Sequence, residues 1–209
     1  MSNITFDEKG ATKTKKEDIE WLRIWCEETN GENLPRVALV GDSITEGYFR
    51  FVQQALKGVA YVDYLATSYS IDSEIYAAVV KQFIADSTYS IVHYNYGLHA
   101  YSVDDETYER RSKELLCYCK ERAKTVVGTS TTVLQADRTT ENPDWKEKVK
   151  NRNGRLLKIA MQLGLSVDDL YTVSTKLLED NRANDGVHFS EQGYIALAES
   201  VVKSIKGVL

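Results

Sequence analysis

Proline is scarce in this chain, with two residues in 209. No Pro-rich stretch is available to act as a linker, and the length suits one domain with a full-sized core. Long apolar runs are also missing. None approaches the roughly 18 residues that cross a bilayer. Residues 1–16 are too polar for the apolar core of a secretory leader, so a cytoplasmic location is expected. Cysteine is limited to Cys26, Cys117 and Cys119, an odd number without metal-ligand spacing. Cys117 and Cys119 fall in a helical pattern, where residues two apart face different ways, so free thiols are expected. His-Glu-x-x-His and paired Cys-x-x-Cys motifs are absent, and no metal or cofactor is expected. Positive charge is not concentrated anywhere. The formal net charge is −5, and the small cluster Lys13, Lys15 and Lys16 runs straight into acidic residues. That argues against a nucleic-acid partner, which needs a concentrated cationic surface. Neither the P-loop nor the dinucleotide glycine motif occurs.

What the chain does have is regular alternation of apolar runs and helical patterns. Residues 1–13 read as a loose leader. Residues 14–29 read as an amphipathic helix with Ile19, Leu22 and Cys26 on one face, ended by Asn30-Gly31. Strands are expected at 36–40, 59–65, 91–95, 125–128 and 165–167. Helices are expected at 44–57, 72–86, 104–122, 144–163 and 190–206, the last capped by Ser190. Such alternation implies a three-layer α/β/α, flavodoxin-like fold with a parallel sheet. The expected organisation is a leader and extra helix over residues 1–35, packed on a single domain over 36–209. Right-handed crossovers bring the C-terminal ends of all the strands to one edge, where ligands bind in such folds.

Chemistry concentrates at two points. The run Val37-Ala38-Leu39-Val40 stops at Gly41-Asp42-Ser43, as a buried strand delivering a hydroxyl to that edge would. Far downstream comes Asp185-Gly186-Val187-His188. A serine hydroxyl needs a base, and a histidine base needs a partner to fix its tautomer. Only three histidines exist: His93, His99 and His188. His188 alone has an aspartate close by in a polar loop that leads into a helix. His93 lies inside a strand and reads as a core or interface histidine. The unpatterned stretch from Gly128 to Pro143 is expected to border the site.

At these residues the chain resembles the SGNH (GDSL-type) hydrolases, whose nucleophile sits in a Gly-Asp-Ser block and whose Asp-x-x-His block lies near the C-terminus. The resemblance covers about residues 36–206. It implies Ser43 as nucleophile, His188 as base and Asp185 as its orienter. It also implies three oxyanion donors: the N–H of the nucleophile, a glycine N–H after the second strand, and an asparagine side chain in a Gly-x-Asn block after the third. Here the sequence departs from the pattern. The stretch 66–73 has no glycine, and Ser70 is the best candidate for the second donor. Gly97-Leu98-His99 stands where the third block belongs, so His99 replaces the asparagine; the alternative is that Asn95 reaches the site.

Thirteen tyrosines outnumber five phenylalanines. Tyr48, Tyr69, Tyr94, Tyr96 and Tyr101 fall near turns that should face the active edge, and tyrosine suits polar substrates such as sugar rings. Asp42, Tyr69, Gly97 and Tyr101 are expected to contact substrate, although Asp42 also suits a brace for its turn. No large apolar loop suggests a lid. The expected activity is hydrolysis of a short acyl ester, with an acetylated carbohydrate as the leading small-molecule substrate. The alternatives are a lysophospholipase or thioesterase acting on longer chains, and a catalytically weak SGNH-like binding protein.

Overall fold

The structure is a computed structural model that describes residues 16–209; the expected leader at 1–13 lies outside the described residues. Among the described residues, six strands form one sheet: β1 (Leu22–Trp25), β2 (Arg36–Gly41), β3 (Tyr61–Thr67), β4 (Ile91–Asn95), β5 (Lys124–Gly128) and β6 (Ser166–Asp168). Their spatial order is β1-β3-β2-β4-β5-β6. The five strands from β2 onward run parallel, and β1 adds to the outer edge of β3 in the antiparallel sense. The α-helices of the described residues are α1 (Ser43–Ala55), α2 (Glu74–Ala85), α3 (Asp105–Lys120), α4 (Pro143–Leu163), α5 (Leu170–Ser174) and α6 (Glu191–Lys206). The short α5 has no counterpart in the sequence reading.

The period-two character of a strand explains the two cores. Val37 and Leu39 of β2 join Val62 and Tyr64 of β3 under α1 and α6. Ala38 and Val40 point the other way and meet Leu65, Val92 and Val127 under α2, α3 and α4. Both faces of β2 are therefore buried, which is why its sequence is apolar without alternation.

The amphipathic helix expected at 14–29 does not form over its described part. Leu22 to Trp25 instead pair with Thr67 to Tyr64. A helix there would need its apolar face covered, yet Ile19 is 75% and Leu22 38% exposed. With no core to bury that stripe, the backbone takes the hydrogen bonds offered by the open edge of β3. The segment before it, residues 16–21, runs as an irregular strap across the end of the sheet. The expected turn at Asn30-Gly31 does form, with the Gly31 N–H donating to the Glu28 carbonyl at 2.7 Å.

Among the described residues, no helix is long and apolar enough to cross a membrane, and no cluster of His, Cys, Asp and Glu has the makings of a metal site.

Candidate active site

The ends of β2, β3 and β4 carry Ser43, Ser70 and His99 to one edge of the sheet, and the loop before α6 brings Asp185 and His188 to Ser43. Gly41 closes β2 where a side chain could not fit: a Cβ there would lie 2.2 Å from the Asn95 carbonyl oxygen. Asp42 follows as the N-cap of α1, and its Oδ1 accepts from the Ile44 N–H at 3.0 Å. Its other oxygen faces the Gly97 and Leu98 N–H groups at 3.5 and 3.4 Å. Asp42 is 2% exposed with both oxygens engaged. It ties the β2–α1 turn to the turn after β4, and the expectation that it contacts substrate is corrected to that bracing role. Ser43 is the first residue of α1 and half-buried. At that position its N–H has no partner within the helix.

Asp185, Gly186, Val187 and His188 form the loop before α6. Gly186 adopts φ +70°, and a Cβ there would lie 2.4 Å from the Leu134 carbonyl oxygen, so glycine is required on both counts. Asp185 Oδ1 accepts from the Val187 and His188 N–H groups, each at 2.9 Å. Its Oδ2 lies 2.6 Å from His188 Nδ1, and His188 Nε2 lies 2.9 Å from Ser43 Oγ. One continuous chain of hydrogen bonds thus links the three residues singled out in the sequence. With Nδ1–H donated to the carboxylate, Nε2 is left to accept from the serine hydroxyl. Such an arrangement can take the proton of a hydroxyl as that hydroxyl attacks an acyl carbon. Burial alone would raise the Asp185 carboxyl. The hydrogen bonds from the His188 ring and from the two N–H groups outweigh it and hold the carboxyl below its ordinary value.

Two buried arginines, each lacking a carboxylate partner among the described residues, hold the loops in place. Arg182 donates to the Leu177, Thr132 and Ser174 carbonyls and packs over the Phe189 ring. Burial lowers its guanidinium to about 10. It braces the loop carrying Asp185 and His188. Arg152 of α4 donates to the Gly97, Ala100 and Val103 carbonyls and braces the loop carrying His99. Sequence reading missed both. The signal for Arg152 was there: it interrupts the buried stripe Val149, Asn153, Leu156, Ile159 of α4. Arg182 sits in a loop and gave none.

The other expected site residues divide. Ser70 follows β3, and its hydroxyl donates to Asp72 Oδ1 at 2.5 Å. Neither its N–H nor that of Ser43 has an acceptor among the described residues. His99 lies on a single 3-10 turn (Leu98–Ala100) after β4. Ser70 and His99 line one cleft of about 700 Å³ together with Tyr101 and the strap 16–21. Asn95 does not reach it. Its amide donates to the Gly128 and Thr129 carbonyls at 3.2 and 3.0 Å, and the residue is 3% exposed. The alternative that Asn95 replaces His99 is therefore set aside. Gly97 is buried, and its missing Cβ leaves room for the Ser130 hydroxyl, so it is a packing position and not a substrate contact. Tyr48, Tyr94 and Tyr96 are also core residues, each fully buried. Tyr76 and Tyr94 share a hydrogen bond, Tyr48 pairs with Thr45, and Tyr96 donates to the Tyr69 carbonyl. Tyr69 is half-buried beside them, and Tyr101 is exposed and stacked on Trp145. His93 is in the core, 3.0 Å from Asp168. The Gly128–Pro143 stretch does border the relay, through the Leu134 N–H on the Gly186 carbonyl at 2.8 Å.

This architecture occurs in solved structures. An acetyl xylan esterase variant from Geobacillus stearothermophilus superposes with a TM-score of 0.69 at 17% identity, over 82% of this chain and 94% of that one. A GDSL-like lipase from Parabacteroides merdae gives 0.66 at 18% identity, over 84% and 96%. An α/β hydrolase from the metagenome of Lake Arreo, Spain, gives 0.67 at 13% identity, over the same shares. The chain has the fold of these hydrolases. No protein-family model and no curated relative matches the sequence. The three-layer α/β/α fold expected from the sequence therefore stands, with the antiparallel edge strand β1 added to its parallel sheet.

Proposed function

We propose that the protein is a serine esterase that removes a short acyl group, acetyl in the leading case, from a polar or carbohydrate alcohol. The observation that carries this reading is the unbroken hydrogen-bond chain from Ser43 through His188 to Asp185 at the binding edge of the sheet. In this reading Ser43 Oγ attacks the ester carbonyl and passes its proton to His188 Nε2. The imidazolium, stabilised by Asp185, then gives that proton to the departing alcohol. Water repeats the sequence on the acyl-enzyme and releases the acid. The N–H groups of Ser43 and Ser70 and the ring of His99 are the donors assigned to the oxyanion, each worth roughly 10²–10³ in rate.

The substrate class is supported by the cleft and by the neighbours. The cleft lined by Ser70 and His99 also carries Glu17, Glu20, Tyr101 and Ser102, a polar mixture that suits a hydroxylated ring better than a long acyl chain. Acetyl xylan esterases recur among the structures with this fold. The test is hydrolysis of p-nitrophenyl esters of increasing acyl length by wild type and Ser43→Ala, with fluorophosphonate labelling of both. The expected result is a preference for acetate, label on wild type alone, and a loss of ~10⁴-fold or more in the variant. Equal rates in the two proteins would remove Ser43 as nucleophile. A preference for long chains would replace the acetyl assignment.

A further inference from the structure

On one side the sheet ends in an open strand. β1 is the outermost strand there and pairs with β3 alone. All four of its residues are exposed, Ile24 to 50% and Trp25 to 54%. The register tells which backbone groups face outward. The Trp21 carbonyl accepts from the Ser68 N–H at 3.2 Å, which extends the pairing of Leu22 with Thr67 by one residue. In an antiparallel ladder the bonded residues alternate. Trp21, Arg23 and Trp25 therefore turn their N–H and carbonyl groups toward β3, and Leu22, Ile24 and Cys26 turn theirs to the open side. Among the described residues, no side chain or loop supplies a partner to these outward groups.

Folded chains blunt such edges with proline, a bulge, an exposed charge or a covering helix. β1 has no proline, and its register with β3 is unbroken. Its one charge, Arg23, is drawn back over the Trp21 ring and onto Glu46 of α1. Both faces of the strand carry apolar side chains. Ile24 stands beside Leu65 of the core under α2, and Trp25 beside Tyr64 of the core under α1. The strand is also self-complementary in one register. Set antiparallel to its own copy about a two-fold axis at Ile24, it brings Ile24 opposite Ile24, Leu22 opposite Cys26 and Arg23 opposite Trp25 of the second copy. Every outward-facing residue then meets an outward-facing one, closing about six main-chain hydrogen bonds. Each guanidinium meets an indole, with Glu27 of the second copy on the diagonal, so the charges are complementary. An axis at Arg23 would set the two guanidinium groups against each other. An axis at Leu22 would run the ladder into the irregular strap.

We propose that β1 is a dimerisation edge, through which two copies of this chain pair antiparallel over residues 22–26 and join their sheets into one. The occupant is a second copy because the edge carries both halves of its own match: the outward backbone row, and Arg23 two residues from the Trp25 it would meet. The contact is isologous and closes on itself, leaving no further edge of this kind free. A ladder this short falls below the roughly 800 Å² per partner of a stable interface. The dimer is therefore reversible, with a dissociation constant of roughly 1–100 µM. This pairing is independent of the reading of Ser43 as nucleophile.

The experiment is sedimentation equilibrium of the full chain from about 1 µM to about 1 mM, with Ile24→Pro and Trp25→Lys measured alongside. Ile24→Pro removes an N–H that faces outward, so the pairing with β3 loses no bond. Trp25→Lys sets a second cation against Arg23 of the other copy. The wild type is expected to pass from monomer to dimer within that range. Each variant should weaken association by ~10-fold or more while circular dichroism reports a native fold. Should Ile24→Pro fail to fold, Trp25→Lys carries the test. Hydrogen exchange supplies the second readout. The Ile24 amide should gain protection as concentration rises, whereas the Arg23 amide, bonded to β3, should be protected throughout. A wild type that stays monomeric overturns the proposal, and an Ile24 amide protected at every concentration in that monomer would place another segment of the same chain on the edge. A dimer that both variants leave as tight as wild type lies on another surface and overturns it equally.

Discussion

Asp185 does its work through three hydrogen bonds at once, two from backbone N–H groups and one from an imidazole. All three favour the ionised form, which is why its carboxyl sits below the ordinary range despite partial burial. A carboxyl depressed in the folded state adds stability above its unfolded value and loses that contribution as pH falls through the folded one. Asp185→Asn should therefore flatten the acid side of a plot of melting temperature against pH. Its effect on turnover is separate. An amide at this position can present its NH₂ to Nδ1 and favour the wrong tautomer, so kcat should fall by ~10²–10⁴-fold while KM moves little. Thermal melts across acid pH, together with steady-state kinetics, check both halves. Asp42 teaches a related lesson at the same scale. It stands next to Ser43 in sequence, yet its oxygens serve backbone N–H groups of its own turn and of the turn after β4.

Elements show where sequence reading succeeds and where it stops. β2, α1, β4 and α6 are legible because each carries its own signal: an apolar run, a capping residue or a 3.6-residue stripe. Ser43, Asp185 and His188 were legible for the same reason, since short motifs sit at element boundaries. The strap and β1 were not. Ile19, Leu22 and Cys26 do have helical spacing, but the choice between helix and strand was made by the open edge of β3, a partner some 40 residues away in sequence. Glu17 was invisible likewise, because its contact with His99 arises only when the strap meets that loop. The arginine-braced loops belong here too. Replacing Arg182 with Met would leave the Leu177 and Thr132 carbonyls buried without a donor, while the Ser174 carbonyl would keep the Leu177 N–H. The expected cost is about 2–4 kcal/mol in denaturant unfolding, with a fall in kcat as the His188 loop loosens.

At the scale of the molecule, Ser43 opens α1 and His188 lies two residues before the cap of α6. The two helices lie side by side on one face of the sheet, with Tyr194 of α6 seated where Gly47 of α1 leaves room. Leu197 and Val201 anchor α6 in the core below. Leu197→Ala should cost about 2–5 kcal/mol by differential scanning calorimetry. The same variant should lose activity beyond what its folded fraction explains, because α6 sets the approach of the imidazole to the hydroxyl. One consequence follows for the protein under heat. The 2.9 Å contact between the Ser43 hydroxyl and the His188 ring spans a seam between α1 and the loop that leads into α6, and a small drift across that seam opens it without exposing the sheet. Hydrolysis should therefore fade on warming at temperatures where circular dichroism still reports a native fold, and it should return on cooling. The gap between those two temperatures would measure how firmly the last helix is seated on the first.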